Sequence, residues 1–182
     1  WRSKVVDRPR VVAICDVSGS VRQYARFLLL FLHSLGEQVS DVRSFAFTNH
    51  LVDVSDTFEL LPVEQAVDKV MQAVGGSGTD YGQTLLDIEE QLLGDIDRRT
   101  TVLILGDARN NRGEAHVEVM KQLYERARRV IWLNPEPTSF WGLGDSEMKR
   151  YAPYCHIARE CNSLTHLEST LDALLRTHSA SA

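Results

Sequence analysis

Val11-Val12-Ala13-Ile14-Cys15, followed at once by Asp16-Val17-Ser18-Gly19-Ser20, sets the terms for the rest of the chain. Five consecutive apolar residues, three of them β-branched and none alternating with polar ones, describe a strand buried on both faces, as in a parallel sheet. The run stops at a carboxylate and gives way to turn-forming residues with short oxygen side chains. In open parallel sheets, ligands bind beyond the carboxyl ends of the strands, near the point where strand order reverses. Asp16, Ser18 and Ser20 therefore stand where a ligand is met.

Outward from this stretch, Val21 to Gly36 reads as a buried central helix, apolar on nearly all sides through Phe27-Leu28-Leu29-Leu30-Phe31-Leu32, with Gly36 as its stop. Val42 to Thr48 is predicted as a strand with Phe45 and Phe47 on one face. Asn49-His50 turns it into a second short strand, Leu51 to Val54, making a hairpin. Pro62 opens a helix running through Ala73. A glycine-rich loop, Gly75 to Asp80, precedes a helix over Gln83 to Leu93.

Thr100 to Leu105 is a further buried strand ending in Gly106-Asp107. Glu114 to Ala127 reads as helix, Val130 to Leu133 as strand, and Asn134 to Asp145 as a Pro- and Gly-rich loop. A short helix over Ser146 to Tyr151, a strand over His156 to Ala158 and a helix over Leu164 to Arg176 complete the series. The tail from Thr177 is expected to fray. Alternating strands and helices require crossover connections. The predicted fold is an α/β, doubly wound, mostly parallel sheet with one antiparallel edge strand and helices on both faces, in a single domain over residues 1–182.

Length and composition agree with that class: 182 residues, 43% apolar and 25% charged, suit one soluble domain with a sizeable core. The longest apolar run, Phe27 to Leu32, is far below the ~20 residues of a membrane span. A net charge of −5, with acids and bases interspersed, speaks against a nucleic-acid-binding or acidic-membrane-binding face. The small basic clusters Arg98-Arg99 and Arg126-Arg128-Arg129 read as solvated ends of elements. The opening at Trp1 without a methionine suggests a fragment of a longer protein. Three cysteines, Cys15, Cys155 and Cys161, are an odd number without paired spacing, which favours a reducing, cytoplasmic setting. Cys155, His156, Cys161 and His166 match no common zinc spacing.

The chemistry gathers in three segments: Asp16-x-Ser18-x-Ser20, Gly78-Thr79-Asp80 and Asp107. Alternate residues of an extended turn point the same way, so one carboxylate and two hydroxyls can share an ion, and Gly19 lets the backbone curl. Such hard oxygen donors suit Mg²⁺ or Mn²⁺, and Mg²⁺ retains waters that leave a position for an external oxygen. Asp80 has two readings, a carboxylate behind the metal ligands or a cap for the helix starting near Gly82. Phe140 and Trp141 either stand exposed as a partner hot spot or fold back over the domain. His33 reads as a core histidine. Gly144-Asp145-Ser146 follows no buried strand and has no His-Asp partners, so it is not a nucleophile elbow.

Asp16-x-Ser18-x-Ser20, then Thr79, then Asp107, resembles the metal-ion-dependent adhesion site of von Willebrand factor A and integrin inserted domains, and the element order matches across nearly the whole chain. The resemblance implies that Asp16, Ser18, Ser20, Thr79 and Asp107 hold a Mg²⁺ or Mn²⁺ ion, directly or through water, and that a partner's Glu or Asp completes the shell. Trp132-Leu133-Asn134-Pro135-Glu136-Pro137, Trp141, Gly144 to Met148 and Tyr151-Ala152-Pro153 are similar to the CoxE-like bacterial branch. That branch implies a partner such as a MoxR-type AAA+ ATPase or a client metalloenzyme under maturation. The third loop departs from the pattern. Leu105-Gly106-Asp107-Ala108-Arg109 has Gly where many relatives carry Ser or Thr before the Asp, and Ala where they carry Gly after it. Arg109 and Arg112 are placed to screen Asp80 or to meet an acidic partner.

These readings lead to a binding module rather than an enzyme. The alternative is a metal-dependent hydrolase or phosphatase, since an open Mg²⁺ also polarises phosphoryl oxygens. Against it, no nucleophile or base stands apart from the ligands, and no GxxxxGK[ST] loop is present. A third reading is a domain that has kept the fold and lost the ion.

Overall fold

The computed structural model describes residues 10–39, 41–76, 78–111, 113–163, 165–167 and 169–170. The expected helix over Leu164 to Arg176 falls largely outside these residues, and the tail from Thr177 entirely so. The strands are β1 (Arg10–Asp16), β2 (Val42–Phe47), β3 (Leu51–Asp53), β4 (Thr100–Leu105), β5 (Arg129–Asn134) and β6 (Ile157–Glu160). They form one sheet in the order β3-β2-β1-β4-β5-β6. All neighbours are parallel except β2 and β3, which pair antiparallel with Phe47 opposite Leu51. Strand order reverses between β1 and β4, so Asp16 and Asp107 leave the sheet side by side at the switch point.

The pleat sorts the strand residues into two cores. Val11, Ala13 and Cys15 of β1, Leu103 and Leu105 of β4, and Ile131 and Leu133 of β5 face one side. Helices α1 (Arg22–Gln38) and α3 (Val63–Ala73) contribute Leu28, Leu32, Val67 and Val70 to that side. Val12, Ile14, Phe45, Phe47, Val102, Ile104 and Trp132 face the other side. There they meet α4 (Tyr81–Gln91), α5 (Val117–Arg126) and α6 (Met148–Tyr151). In α1 the fully buried residues Ala25, Leu28, Leu29, Leu32 and Leu35 recur at helical spacing. Each such leucine contributes about 1.5–3 kcal/mol of burial. Gly36 does not stop this helix, which runs two residues further, to Gln38.

Two boundaries depart from expectation for identifiable reasons. Helix α2 (Ser55–Leu60) has no buried residue and so no apolar period to read. Polar bonds hold its start: Ser44 N–H donates to Ser55 Oγ at 3.0 Å and Ser55 N–H to Asp53 Oδ1 at 3.0 Å. Helix α5 starts at Val117 rather than near Glu114, because His116 has φ 42°, a left-handed conformation that a right-handed helix cannot include. His33 is half-buried, not a core residue. Its ring stands edge-on to Phe58 at 5.8 Å, beside a cavity of about 460 Å³ between α1, β2 and α2.

The edge strand β6 is entered through His156. Its N–H donates to Val130 O at 2.8 Å, its Nδ1 accepts from Val130 N–H at 3.0 Å, and its ring stacks on Tyr124. Burial, and then Arg129 and Arg98, lower its pKa below 6.5. A depressed histidine contributes stability that is present above the unfolded-state value of about 6.5 and lost as pH falls through the folded value. NMR titration should place the imidazole below 6.5. Over the same interval the urea midpoint of wild type should fall more steeply than that of His156→Asn, whose Oδ1 can accept the same bond without titrating there. Equal slopes would contradict the assignment.

Candidate metal centre

The last residue of β1 is held from two sides. Asp16 Oδ1 accepts Ser18 N–H at 2.8 Å, the turn expected of an Asp two residues before a serine. Asp16 Oδ2 accepts the Tyr81 hydroxyl at 2.7 Å. Ser18 and Ser20 hydroxyls lie 3.1 Å apart, and the Ser20 side chain lowers the pKa of the Asp107 carboxylate beside it. Asp107 Oδ1 in turn accepts Arg109 N–H at 2.9 Å. Asp16, Ser18, Asp107 and Thr79 are buried, whereas Ser20 is exposed. Thr79 joins Ser20 in lining a cleft, and its carbonyl accepts the Asn111 amide at 2.7 Å. The structure thus brings Asp16, Ser18, Ser20 and Asp107 together at the end of the sheet, with Thr79 lining the cleft that Ser20 also lines.

Burial, and then the neighbouring Asp107, raise the Asp16 pKa, while the Ser18 and Tyr81 bonds oppose the rise. Asp107 is likewise raised, first by burial. Among the described residues, no Lys, Arg or His forms an ion pair with either carboxylate. Two buried acids side by side, without a cationic side chain, are costly unless an ion or a proton compensates them. Every surrounding donor is a hard oxygen, and hydroxyls are three of the five, so the set fits Mg²⁺ or Mn²⁺ and not a thiolate-seeking metal.

Tyr81 was not legible in the sequence. Burial holds its phenol far above its usual pKa, so it stays protonated and donates. It packs edge-on to Phe47 at 5.0 Å and stacks with Trp132 at 5.8 Å, and Trp132 stacks in turn on Tyr151 at 5.2 Å. Trp132 Nε1 and the Asn134 amide bond the carbonyls of Gly106 and Asp107, fixing the third loop to β5. Asn110 ties the same loop to α4 by accepting Gly82 N–H at 3.1 Å.

The third loop's departures from the adhesion-site pattern now have a physical reading. A Cβ on Gly106 would lie 2.1 Å from the Tyr81 hydroxyl and 2.7 Å from Asp16 Cβ, so glycine makes room for the tyrosine. Ala108 takes φ 61°, the left-handed conformation that favours the glycine of other loops, at a cost of about 1–2 kcal/mol.

Other expected contacts fall differently. Asp80 caps α4, its Oδ1 accepting Gln83 N–H at 2.8 Å. Arg109 is not free for a partner: it bonds both Glu136 oxygens, at 2.7 and 3.1 Å, and Asp145 Oδ1 at 2.6 Å. Arg112 lies outside the described residues. Phe140 is 49% exposed, whereas Trp141 folds back and donates Nε1–H to Glu136 O at 3.2 Å.

Gly106→Ala should lower stability in chemical denaturation by about 1–3 kcal/mol, the range for overpacking. Tyr81→Phe, which removes one hydrogen bond from a buried carboxylate and leaves the ring packing, should lower it by about 1–3 kcal/mol. A Gly106→Ala protein as stable as wild type would show that the tyrosine does not need this space.

Among solved structures, the chain is similar in fold to a von Willebrand factor type A protein from Catenulispora acidiphila, with 13% identity over 92% of this chain and 42% of that one, at a TM-score of 0.62. It therefore spans less than half the length of that protein. It is also similar to manganese-loaded Plasmodium vivax TRAP protein, with 14% identity over 86% of this chain and 69% of that one, TM-score 0.57. An aerotolerance-related membrane protein from Bacteroides fragilis NCTC 9343 is a third, with 13% identity over 94% of this chain and 99% of that one, TM-score 0.57. No match is found among curated proteins. The family described as VWA domain containing CoxE-like protein matches residues 1–170, with the sheet order and flanking helices of a von Willebrand factor A fold beneath the match. The chain belongs to the CoxE-like family of VWA domains.

Proposed function

We propose that this domain is a protein-binding module that captures a partner's carboxylate through a Mg²⁺ or Mn²⁺ ion held by Asp16, Ser18, Ser20, Thr79 and Asp107. The observation that carries the reading is the pair of buried acids, Asp16 and Asp107, at the switch point of the sheet, with no cationic side chain among the described residues paired to either. A bound divalent ion supplies an electrophilic coordination position for an external oxygen. The chain's own residues do the rest. Tyr81 and Ser18 N–H orient Asp16, Arg109 N–H orients Asp107, and the exposed Ser20 opens the group to solvent. Asp80 is committed on one oxygen to its cap, and its other oxygen is the acceptor we assign to a water of the ion.

The CoxE-like family membership favours a MoxR-type AAA+ ATPase or a client metalloenzyme as the protein that presents the carboxylate. Cys15, Cys155 and Cys161 are free thiols, which fits a cytoplasmic setting. No helix among the described residues is long and apolar enough to cross a membrane.

Calorimetric titration of Mg²⁺ and Mn²⁺ into chelator-treated protein should show saturable binding to wild type and none to Asp16→Ala. At a hundredfold excess over the dissociation constant, the ion should stabilise wild type by about 2.7 kcal/mol. Without metal, Asp16→Asn should be at least as stable as wild type, because it removes one of two adjacent buried charges. With metal, the order should invert. An Asp16→Asn protein less stable than wild type in chelator, with neither gaining from metal, would refute the ion site.

A further inference from the structure

The cavity of about 460 Å³ between α1, β2 and α2 lies away from the metal group. Val42, on its wall, pairs with Val11, which precedes Asp16 by about 16 Å of strand. The volume falls in the range of about 300–1,000 Å³ that small-molecule sites occupy. Leu32 of α1, Val39, Val42 and Phe58 of α2 give the cavity an apolar body. His33 of α1 meets the Phe58 ring edge-on at 5.8 Å, so one aromatic contact joins the two helices across it.

Polar groups stand at both ends of that body. Ser44 is 4% exposed and lies on the α1 face of β2, the face of Ala46. Its backbone is fully used. The N–H donates to Ser55 Oγ at 3.0 Å, and the carbonyl accepts Val54 N–H at 2.8 Å and the Ser55 hydroxyl at 3.4 Å. The Ser44 hydroxyl itself has no hydrogen-bond partner among the described residues, and the residue lines the cavity. A buried hydroxyl is costly to leave unbonded, so this one calls for an occupant that can bond it. At the outer end Glu37 and Glu59 are exposed, and neither forms an ion pair with a described residue. Arg43, the cation between Val42 and Ser44 in sequence, is engaged by Asp53 and Asp95. No Lys or Arg is among the described residues that line the cavity.

We infer that this cavity is a second binding site, independent of the metal group, for a small organic cation. Its ligand carries an ammonium or guanidinium group at one end of an apolar body and a hydrogen-bonding group at the other. The cation sits between Glu37 and Glu59, with the Phe58 ring within reach as a further attraction. The body packs on Leu32, Val39 and Val42, and the far polar group bonds the Ser44 hydroxyl. A carboxylate ligand is repelled by the two glutamates, and a purely apolar one leaves the serine unbonded.

Three probes dissect the site by amide NMR titration in chelator at low salt. Tyramine has both polar ends, phenethylamine lacks the hydroxyl, and 4-ethylphenol lacks the ammonium. Tyramine should shift the amides of Ser44, Ser55 and Phe58 and bind roughly fivefold more tightly than 4-ethylphenol, since each exposed ion pair is modest. It should exceed phenethylamine by about the same factor, one hydrogen bond. Added salt should shrink the first preference and spare the second. Glu37→Gln/Glu59→Gln should bring tyramine down to 4-ethylphenol's affinity, and Ser44→Ala should bring it down to phenethylamine's without altering phenethylamine. The glutamate variant changes exposed positions alone, so it tests the cationic end whatever Ser44→Ala does to folding. Equal affinity for tyramine and 4-ethylphenol, or cavity amides that no probe moves, overturns the inference. Tyramine displaced by Mn²⁺ places the amine at Asp16 and Asp107 and overturns it too. A blocked Phe-Lys-Leu peptide that moves these amides where tyramine does not assigns the cavity to a protein partner and overturns the small ligand.

Discussion

Everything in this domain is arranged around two carboxylates that a folded protein has reason to keep apart. Asp16 ends β1 and Asp107 lies two residues past the end of the adjacent parallel strand β4, at the switch point, and both are buried there. Their proximity follows from topology: the crossovers that send β2 and β4 to opposite sides of β1 leave the two strand ends as neighbours. Their burial follows from the aromatic layer beneath them. Phe47, Tyr81, Trp132 and Tyr151, from four different elements, close the sheet's end and exclude water on that side.

That layer is also what makes the acids addressable. Tyr81 donates to one oxygen of Asp16 and Ser18 N–H to the other, so the carboxylate has a fixed orientation rather than a choice of rotamers. The tyrosine requires Gly106, since any side chain there would strike its hydroxyl. Gly106 is in turn held by the Trp132 indole. The loop then continues through Ala108 in a left-handed conformation, whose backbone cost is carried by the buried contacts around it. Tyr81 in α4 thus accounts for the glycine at 106.

Several other half-buried charges among the described residues have a local partner. Arg109 satisfies Glu136 and Asp145, and Asp87 receives Leu51 N–H and the Gln83 amide. Asp80 is occupied as a helix cap. Against that background, Asp16 and Asp107 stand out through the chemistry they leave open rather than through their residue type. Ser20 lies between two clefts beside them, one lined by Gly19, Gly76 and Gly78 and the other by Gln23, Tyr24, Glu136 and Phe140.

The strands, their pairing class and the positions of Asp16, Ser18, Ser20, Thr79 and Asp107 were determined by the sequence alone. Buried parallel strands carry unbroken apolar runs, and the switch-point rule places whatever follows them at the ligand face. Helix α1 was legible from its dense apolar spacing, and α2 was not, because a six-residue helix with no fully buried side chain leaves no period to read. Tertiary structure decided the rest. It turned Arg109 inward to Glu136 and Asp145, split Phe140 from Trp141, and placed Tyr81 against Asp16 across 65 positions of chain. Such choices depend on which partners lie within reach once the chain has folded. No local spacing encodes them, because the competing bonds come from elements distant in sequence.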